Sequence, residues 1–277
     1  MLKNNMIGII GQGFVGNAIY QKFKKYFEVK TYDLDESKCN STFSDVASCK
    51  IVFVCLPTPM NKQGECDTSI VENEIKKLTN STLVEIIVIK STVSPGTTQK
   101  LNDNYPNVNI VFNPEFLTER NAVEDFNNQN RVILGGPRPA TTKLKQIYSK
   151  VFPKAHIIKT GPTHAELVKY FTNCFLATKV SFANEMYQLV TALDHDYDKV
   201  VEYATMDPRL GKSHWAVPGP DGDFGYGGHC FPKDLSAIIH LTKNLKTSNN
   251  VLNAVQQTND VVRNNRDWEK MKGRAVS

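Results

Sequence analysis

The sequence predicts an α/β protein in which a doubly wound parallel sheet is followed by a helical domain, and two observations favour this fold. Short apolar runs alternate with amphipathic stretches up to about residue 160, which is the pattern of βα units. From Thr163 onward the apolar residues instead recur at helical spacing. With 277 residues, of which 40% are hydrophobic, the chain is long enough for two packed units.

The predicted strands are short and continuously apolar, as expected for parallel strands that helices cover on both faces. In chain order the candidates are residues 6–10, 28–32, 51–56, 86–90, 108–112 and 132–135. An amphipathic helix is predicted between the first two strands. We expect this first domain to close near Gly161 and Pro162, so that it spans residues 1–162.

The second predicted domain, residues 163–277, is helical. Thr163 and Glu166 have the spacing of a capping box, and the helical pattern continues from there to about residue 193. Such a helix is roughly 45 Å long, which is too long for one small domain and suggests that it bridges domains or subunits. A shorter helix is predicted near residues 198–205, followed by a loop rich in glycine and proline and by more helix after Lys233.

Composition excludes several functional classes. The net charge of +5 is spread along the chain, which suits phosphate-bearing ligands but predicts neither nucleic-acid nor membrane binding. No apolar run approaches the ~20 residues of a membrane helix, and the N-terminus does not resemble a signal peptide. The six cysteines show no metal-ligand spacing. We therefore expect a cytoplasmic protein with reduced thiols and no metal site.

A glycine-rich segment follows the first predicted strand and opens the first predicted helix; it consists of Gly11, Gln12, Gly13, Phe14, Val15 and Gly16. This is a Rossmann-type G-x-G-x-x-G, in which the glycines allow a tight turn and a close approach of pyrophosphate to a helix N-terminus. Asp33 closes the second strand, where a carboxylate can accept a hydrogen bond from a ribose 2′-hydroxyl and repel a 2′-phosphate. The segment therefore predicts an NAD site.

Two further segments place polar groups where a fold alone does not need them. Glu115 and Glu119 lie after a predicted strand and would share one face if the segment were helical. A solvated helix start is the alternative for both, and for Glu119 alone it explains the residue equally. Lys169 and Asn173 are four residues apart within an apolar stretch of the long helix. That lysine either extends to solvent or, with the amide, stabilises a developing oxyanion.

The strongest candidate for chemistry is Cys230, which follows a run of glycines that allow close approach to the thiol. A helix beginning after Pro232, together with Lys233, would favour the thiolate. Ser91 and Thr92 follow another predicted strand, where their hydroxyls either contact a ligand or cap the next helix.

In combination these segments resemble the UDP-glucose/GDP-mannose dehydrogenase family. The matching segments are the glycine loop with Asp33, residues 56–59, 91–97 and 113–117 with Glu119, and residues 166–173, 182–185, 207–209 and 225–234. They occur in family order along most of the chain.

The resemblance implies a four-electron oxidation of a nucleotide sugar, UDP-glucose above all, with two NAD molecules used in turn and a place in polysaccharide biosynthesis. Cys230 is the implied nucleophile, Glu115 an acid/base, and Asp234 the group that positions water or serves as a base. Lys169 and Asn173 are implied to stabilise negative oxygen. Further implied cofactor contacts are Pro57, Thr58, Ser91, Thr92, Glu119 and Lys233, with Thr92 also near the chemistry; further implied substrate contacts are Phe116, Leu117, Glu119, Arg209, Phe224, Tyr226 and Gly227.

The resemblance also implies a homodimer in which Arg209 reaches the sugar bound to the neighbouring subunit. Family members have a third domain that closes over the substrate's nucleotide, and this chain stops about where its first strand would begin. We therefore expect the third, UDP-binding domain to be absent, either naturally or by truncation.

Two alternatives compete with this interpretation. A two-domain 3-hydroxyacid-type dehydrogenase shares the glycine loop and the central helices, but it needs no nucleophilic cysteine. A non-catalytic NAD-binding dimer, or a subunit that needs a partner for the third domain, would keep the long helix without productive substrate binding.

Overall fold

The computed structural model describes residues 6–277. The chain forms two compact units. The first comprises the chain up to Thr58 together with Thr68–Lys169, and the second comprises Pro59–Asp67 and Tyr170–Ser277. Within residues 6–277, no helix is both long enough and apolar enough to cross a membrane.

The first unit contains a seven-stranded sheet in the order β2-β1-β3-β4-β5-β6-β7, in which only β5 and β6 pair antiparallel. Its strands are β1 (Ile7–Ile10), β2 (Val29–Tyr32), β3 (Ile51–Val54), β4 (Ile86–Ile89), β5 (Asn109–Phe112), β6 (Arg131–Gly135) and β7 (His156–Thr160). The predicted α/β class is confirmed, and six of these strands lie where the apolar runs predict them. The seventh, β7, has no continuous apolar run because it lies at the sheet edge and is largely exposed.

Helices cover both faces of this sheet: α1 (Phe14–Phe23), α2 (Phe43–Val46), α3 (Ser69–Leu78), α4 (Thr97–Asn104), α5 (Ala122–Asn127) and α6 (Arg138–Val151). On one face, the fully buried ring of Phe23 makes edge contacts with Phe53 and Tyr148, at ring-centroid distances of 5.6 and 5.7 Å. On the other face, Val71 and Ile75 of α3 pack into a second cluster. Each such side chain stabilises the fold by about 1.5–3 kcal/mol through burial alone.

The remaining helices are α7 (Pro162–Ala192), α8 (Tyr197–Ala204), α9 (Cys230–Asn244) and α10 (Asn250–Val262). The prediction of one long helix is confirmed, since α7 has 31 residues. The predicted capping box at its start is wrong, because α7 begins at Pro162 and Thr163 already lies inside the helix. The Glu166 carboxylate instead accepts hydrogen bonds from the N–H groups of Gly96 and Thr98, at 2.6 and 2.8 Å. Glu166 thus caps α4, whose own N-terminal residues supply no side-chain cap.

In the second unit, α9 and α10 pack against α7. Their shared core contains Cys174 from α7, Leu235 and Ile239 from α9, Val255 from α10, and the ring of Tyr226 from the preceding loop. The predicted helix start after Pro232 is wrong. Helix α9 begins at Cys230, two residues before Pro232, which therefore lies in its first turn, where a missing N–H costs no helical hydrogen bond.

Candidate active site

The glycine loop of the first unit has the geometry that a dinucleotide site requires. Gly11 has a φ of +88°, and a Cβ there would lie 2.3 Å from the carbonyl oxygen of Cys55. A Cβ on Gly16 would lie 1.8 Å from the carbonyl oxygen of Gly11, so only glycine allows the strand and helix to approach this closely. Gly13, by contrast, faces open space and precedes the first residue of α1. A pyrophosphate therefore has room beside Gly13, at the positive end of a helix.

Asp33, which follows β2, points back to this loop. Its Oδ2 accepts a hydrogen bond from the N–H of Gln12 at 2.6 Å, and its Oδ1 accepts one from Asp35. The N–H of Asp33 donates to the sulfur of Cys39 at 3.0 Å, so the half-buried Cys39 contacts this turn.

Replacing Asp33 by alanine is expected to weaken NAD binding about 10- to 100-fold, because hydrogen bonds to a charged group contribute about 1.5–3 kcal/mol each. Loss of the carboxylate also removes the repulsion of a 2′-phosphate, so the preference for NAD over NADP should fall. Titration calorimetry with both cofactors measures both effects, and the matched control is Asp45→Ala, an exposed carboxylate of α2. Unchanged NAD affinity in Asp33→Ala would exclude this aspartate from the site.

Hydroxyl groups connect the loops that follow β3 and β4. Ser91 Oγ accepts a hydrogen bond from the N–H of Leu56 at 2.9 Å, and Thr58 Oγ1 donates to the carbonyl oxygen of Thr92 at 2.7 Å. Pro57 lies between these contacts in the same loop. Capping of the next helix, one of the two roles considered for Ser91 and Thr92, falls instead to Glu166.

A buried ion pair lies after β5. Lys169 Nζ is 3.0 Å from Glu115 Oε1 and donates a second hydrogen bond, of 2.7 Å, to the carbonyl oxygen of Glu115. The Lys169 and Glu115 side chains are only 3% and 7% exposed, so this lysine does not extend to solvent. The other carboxylate oxygen of Glu115 accepts a hydrogen bond from the N–H of Leu117. Lys169 Nζ also lies 5.6 Å from the centre of the Phe116 ring.

Glu119 is separate from this pair. The segment between Glu115 and Glu119 is not helical, so the two carboxylates do not share a helix face, and Glu119 opens a short 3-10 helix. Glu119 and Phe14 instead line the same cavity, of about 660 Å³, beside the start of α1. The structure thus brings Glu119 to the glycine loop.

Lys90, which sequence reasoning missed, is buried immediately after β4. Its ammonium donates to Asn113 Oδ1 at 3.0 Å and to the carbonyl oxygen of Pro114 at 3.4 Å, and Tyr148 donates to the same Asn113 oxygen. Burial lowers the pKa of Lys90 to about 8. Lys90 and Lys169 therefore fix the carbonyl groups on either side of the Pro114–Glu115 bond. A lysine that ends a continuous apolar strand was the signal available in the sequence.

In the second unit, Cys230 is the first residue of α9, and its side chain is half-buried. Its sulfur lies 3.4 Å from Nε2 of His229, the N-cap residue. The preceding glycines adopt left-handed backbone, with φ of +65° at Gly225 and +68° at Gly228. The thiol therefore lies at the positive end of a helix, which favours a thiolate.

Three buried polar side chains form a continuous hydrogen-bonded chain, and two of them, Lys233 and Asp234, lie in the first turns of the helix that Cys230 begins. Asn173 Nδ2 donates to Asp234 Oδ2, and Lys233 Nζ donates to Asp234 Oδ1, each at 2.6 Å. All three residues are at most 6% exposed. Burial by itself disfavours the Lys233 ammonium, but the carboxylate of Asp234 outweighs it and raises the pKa of Lys233.

Four further residues predicted to contact substrate differ from one another in burial and in contacts. Tyr226 is buried, with its ring 6.0 Å from that of Phe231, and Phe224 packs 5.7 Å from Tyr187. The backbone of Gly227 packs against a guanidinium, that of Arg263. Arg209 is almost fully exposed and pairs with Asp207 two residues away.

The fold and the glycine loop define a dinucleotide-binding dehydrogenase, and comparison with known proteins gives the family. The chain belongs to the UDP-glucose/GDP-mannose dehydrogenase family: residues 39–152 match its NAD binding domain and residues 163–261 its central domain. Members of this family are NAD-dependent nucleotide-sugar dehydrogenases.

Individual relatives support the same family assignment. The UDP-glucose 6-dehydrogenase of Rickettsia bellii is 34% identical over 250 residues, which cover 87% of this chain and 56% of that protein. The structure of a UDP-glucose dehydrogenase from Pyrobaculum islandicum superposes with a TM-score of 0.84 and 28% identity, covering 93% of this chain and 68% of the other. A 3-hydroxyisobutyrate dehydrogenase of Mycobacterium tuberculosis, with a TM-score of 0.73 and 15% identity over 93% of each chain, shares the fold alone. The chain spans about half the length of the curated relatives it matches.

Proposed function

We propose that this chain oxidises the C6 alcohol of a nucleotide sugar, UDP-glucose, to the carboxylate, with residues 1–162 as the NAD-binding domain and 163–277 as the central domain. The observation that carries the proposal is Cys230 at the first residue of α9, the helix that also supplies Lys233 and Asp234 to the buried hydrogen-bonded chain with Asn173. A 3-hydroxyacid-type dehydrogenase has no need of such a thiol. The name of the Rickettsia bellii relative supports the choice of substrate.

The glycine loop and Asp33 fit NAD, which, when bound, supplies the hydride acceptor for both oxidations. In the first oxidation the C6 alcohol loses a hydride and a proton and becomes an aldehyde. The Glu115 carboxylate is the proposed proton acceptor. Lys169 and the Asn173 amide stabilise the negative charge on the sugar oxygen, because both are donors that are already fixed by hydrogen bonds.

In the second oxidation the Cys230 thiolate adds to the aldehyde carbon and forms a thiohemiacetal. Loss of a second hydride, with the hydroxyl proton, gives a thioester. Water, positioned by the Asp234 carboxylate, attacks the thioester, and the sulfur leaves as thiolate. In total one alcohol, one water and two NAD⁺ give one carboxylate, two NADH and three protons.

Absorbance at 340 nm tests this function with purified protein, NAD and UDP-glucose, GDP-mannose or UDP-N-acetylmannosamine in parallel. The proposal predicts two NADH per UDP-glucose consumed and none with the other two sugars. Clear NAD binding without turnover of any sugar would instead support a scaffold, or a subunit that needs a partner.

We also propose that the protein forms a homodimer through α7. Phe171, Phe175 and Phe182 lie on one side of this helix, and they are 77%, 58% and 52% exposed. Exposed aromatic rings in a row are typical of a surface that another molecule covers. A second copy of the chain fits because α7 then packs against an identical apolar face.

Replacing both Phe171 and Phe175 by glutamate is expected to convert the dimer into a monomer, because four charges would be buried in its interface. Light scattering after size-exclusion chromatography gives the molecular mass directly. Val261→Glu is the control, since Val261 is an equally exposed apolar residue on α10. A wild-type protein that is monomeric at every concentration would contradict the proposal.

A further inference from the structure

A buried arginine follows helix α10 and lies against the loop that leads to Cys230. The Arg263 side chain is only 1% exposed, and its Nη2 lies 2.7 Å from Asp221 Oδ2. Two more carboxylates surround the same guanidinium, those of Asp223 at 3.5 Å and Asp267 at 3.6 Å. Arg263 also donates hydrogen bonds to the carbonyl oxygens of Phe224 and Asn265. The Arg263 guanidinium therefore connects loop residues 221–224 to the segment that follows α10.

The same contacts fix the two glycines that precede the thiol. A Cβ on Gly227 would lie 2.1 Å from Arg263 Nη2, so the guanidinium packs directly on the backbone there. The N–H of Gly228 donates to both carboxylate oxygens of Asp267, at 3.1 Å each. Gly228 is followed by His229, the N-cap of α9, and by Cys230. Only one residue therefore separates the Asp267 contact from the proposed nucleophile.

Helix α10 itself adds a third contact. Asn259 accepts a hydrogen bond from the N–H of Tyr226 at 2.7 Å and donates one to the Tyr226 carbonyl at 3.0 Å. Tyr226 and Gly228 are thus hydrogen-bonded to Asn259 and Asp267, and Gly227 between them packs against Arg263. These three contacting residues are spaced four positions apart in the sequence. A loop so rich in glycine has high conformational freedom, and these external contacts compensate for it.

We propose that Arg263 and Asp267 are positioning residues for Cys230, which they hold at the first position of α9. This deepens the proposed function, because it assumes that Cys230 is the nucleophile. The physical reason is that the backbone N–H groups of the first helical turn stabilise a thiolate only while the turn remains formed. If Gly228 were released, the turn would fray and the thiolate would lose this stabilisation.

The test compares Asp267→Ala with Asp267→Asn and measures alkylation of Cys230 by iodoacetamide against pH, by mass spectrometry of the Cys230 peptide. Asp267→Ala should slow alkylation at pH 7 about 3-fold, which corresponds to a displacement of the profile by about half a pH unit to higher pH. Asp267→Asn should recover most of the rate, because its amide oxygen still accepts the Gly228 N–H. Alkylation of Cys39 in the first unit is the internal reference.

Two further measurements keep the result interpretable. If Asp267→Ala fails to fold, Arg263→Lys replaces it, because lysine retains the charge but cannot donate to Phe224 and Asn265 together; the same displacement is expected. Identical Cys230 profiles in all folded variants would overturn the positioning role. Absence of NADH formation by the wild-type protein would refute the proposed function and leave the alkylation result unaffected.

Discussion

Replacing Cys230 by serine is expected to abolish the second oxidation while leaving NAD binding unchanged. A serine hydroxyl is not ionised near neutral pH and is a much weaker nucleophile than a thiolate, so neither the hemiacetal nor the ester forms at a useful rate. We expect carboxylate formation to fall at least ~1,000-fold, in line with the loss of other enzymatic nucleophiles. NADH should fall from two to at most one per sugar, measured at 340 nm with chromatography of the products.

A second cysteine of the same unit provides the control for this variant. Cys174 is buried, and burial raises the pKa of its thiol to about 12, so it carries no thiolate at neutral pH. Cys174→Ala should therefore retain two NADH per sugar. Unchanged carboxylate production by Cys230→Ser would remove the cysteine from the mechanism.

The parts of the fold that follow from local pattern could be predicted from the sequence. Strands β3 and β4 are runs of four apolar residues because helices cover the sheet on both faces, and the glycine loop is contiguous in the chain. Strand β7 could not be predicted, because its position at the edge leaves polar and apolar residues mixed. The start of α9 was missed for a related reason: Pro232 is tolerated in a first turn and so does not mark the boundary.

Partners that are distant in sequence could not be predicted at all. Glu166 contacts residues 68 and 70 positions away, and its apparent capping-box spacing pointed to the wrong helix. Arg263 follows α10 and belongs to no recognisable sequence motif. Its proposed role depends on the carboxylates of Asp221 and Asp267, which contact it only in the folded chain. The chemical nature of these residues is visible in the sequence, whereas the identity of each partner depends on tertiary structure.

The Lys169–Glu115 pair illustrates this limit, because the two residues are 54 positions apart and each is nearly fully buried. A buried charge without its partner is costly, since desolvation is no longer offset by attraction. The two residues proposed to act in the first oxidation therefore also contribute to the stability of the first unit. Partly exposed pairs such as Lys143–Glu85 lack this property, because solvent screens them.

Replacing Lys169 by methionine is accordingly expected to lower the free energy of unfolding by about 3–5 kcal/mol, because Glu115 then keeps a buried charge without a cation. Urea denaturation at pH 7 measures the loss, and the partly exposed counterpart Lys143→Met should cost no more than about 1 kcal/mol. The double variant Lys169→Met/Glu115→Gln should recover part of the stability, since no unpaired charge remains. If Lys169→Met costs no more than Lys143→Met, the pair is not buried in solution, and its proposed part in stabilising the sugar oxygen loses its structural basis.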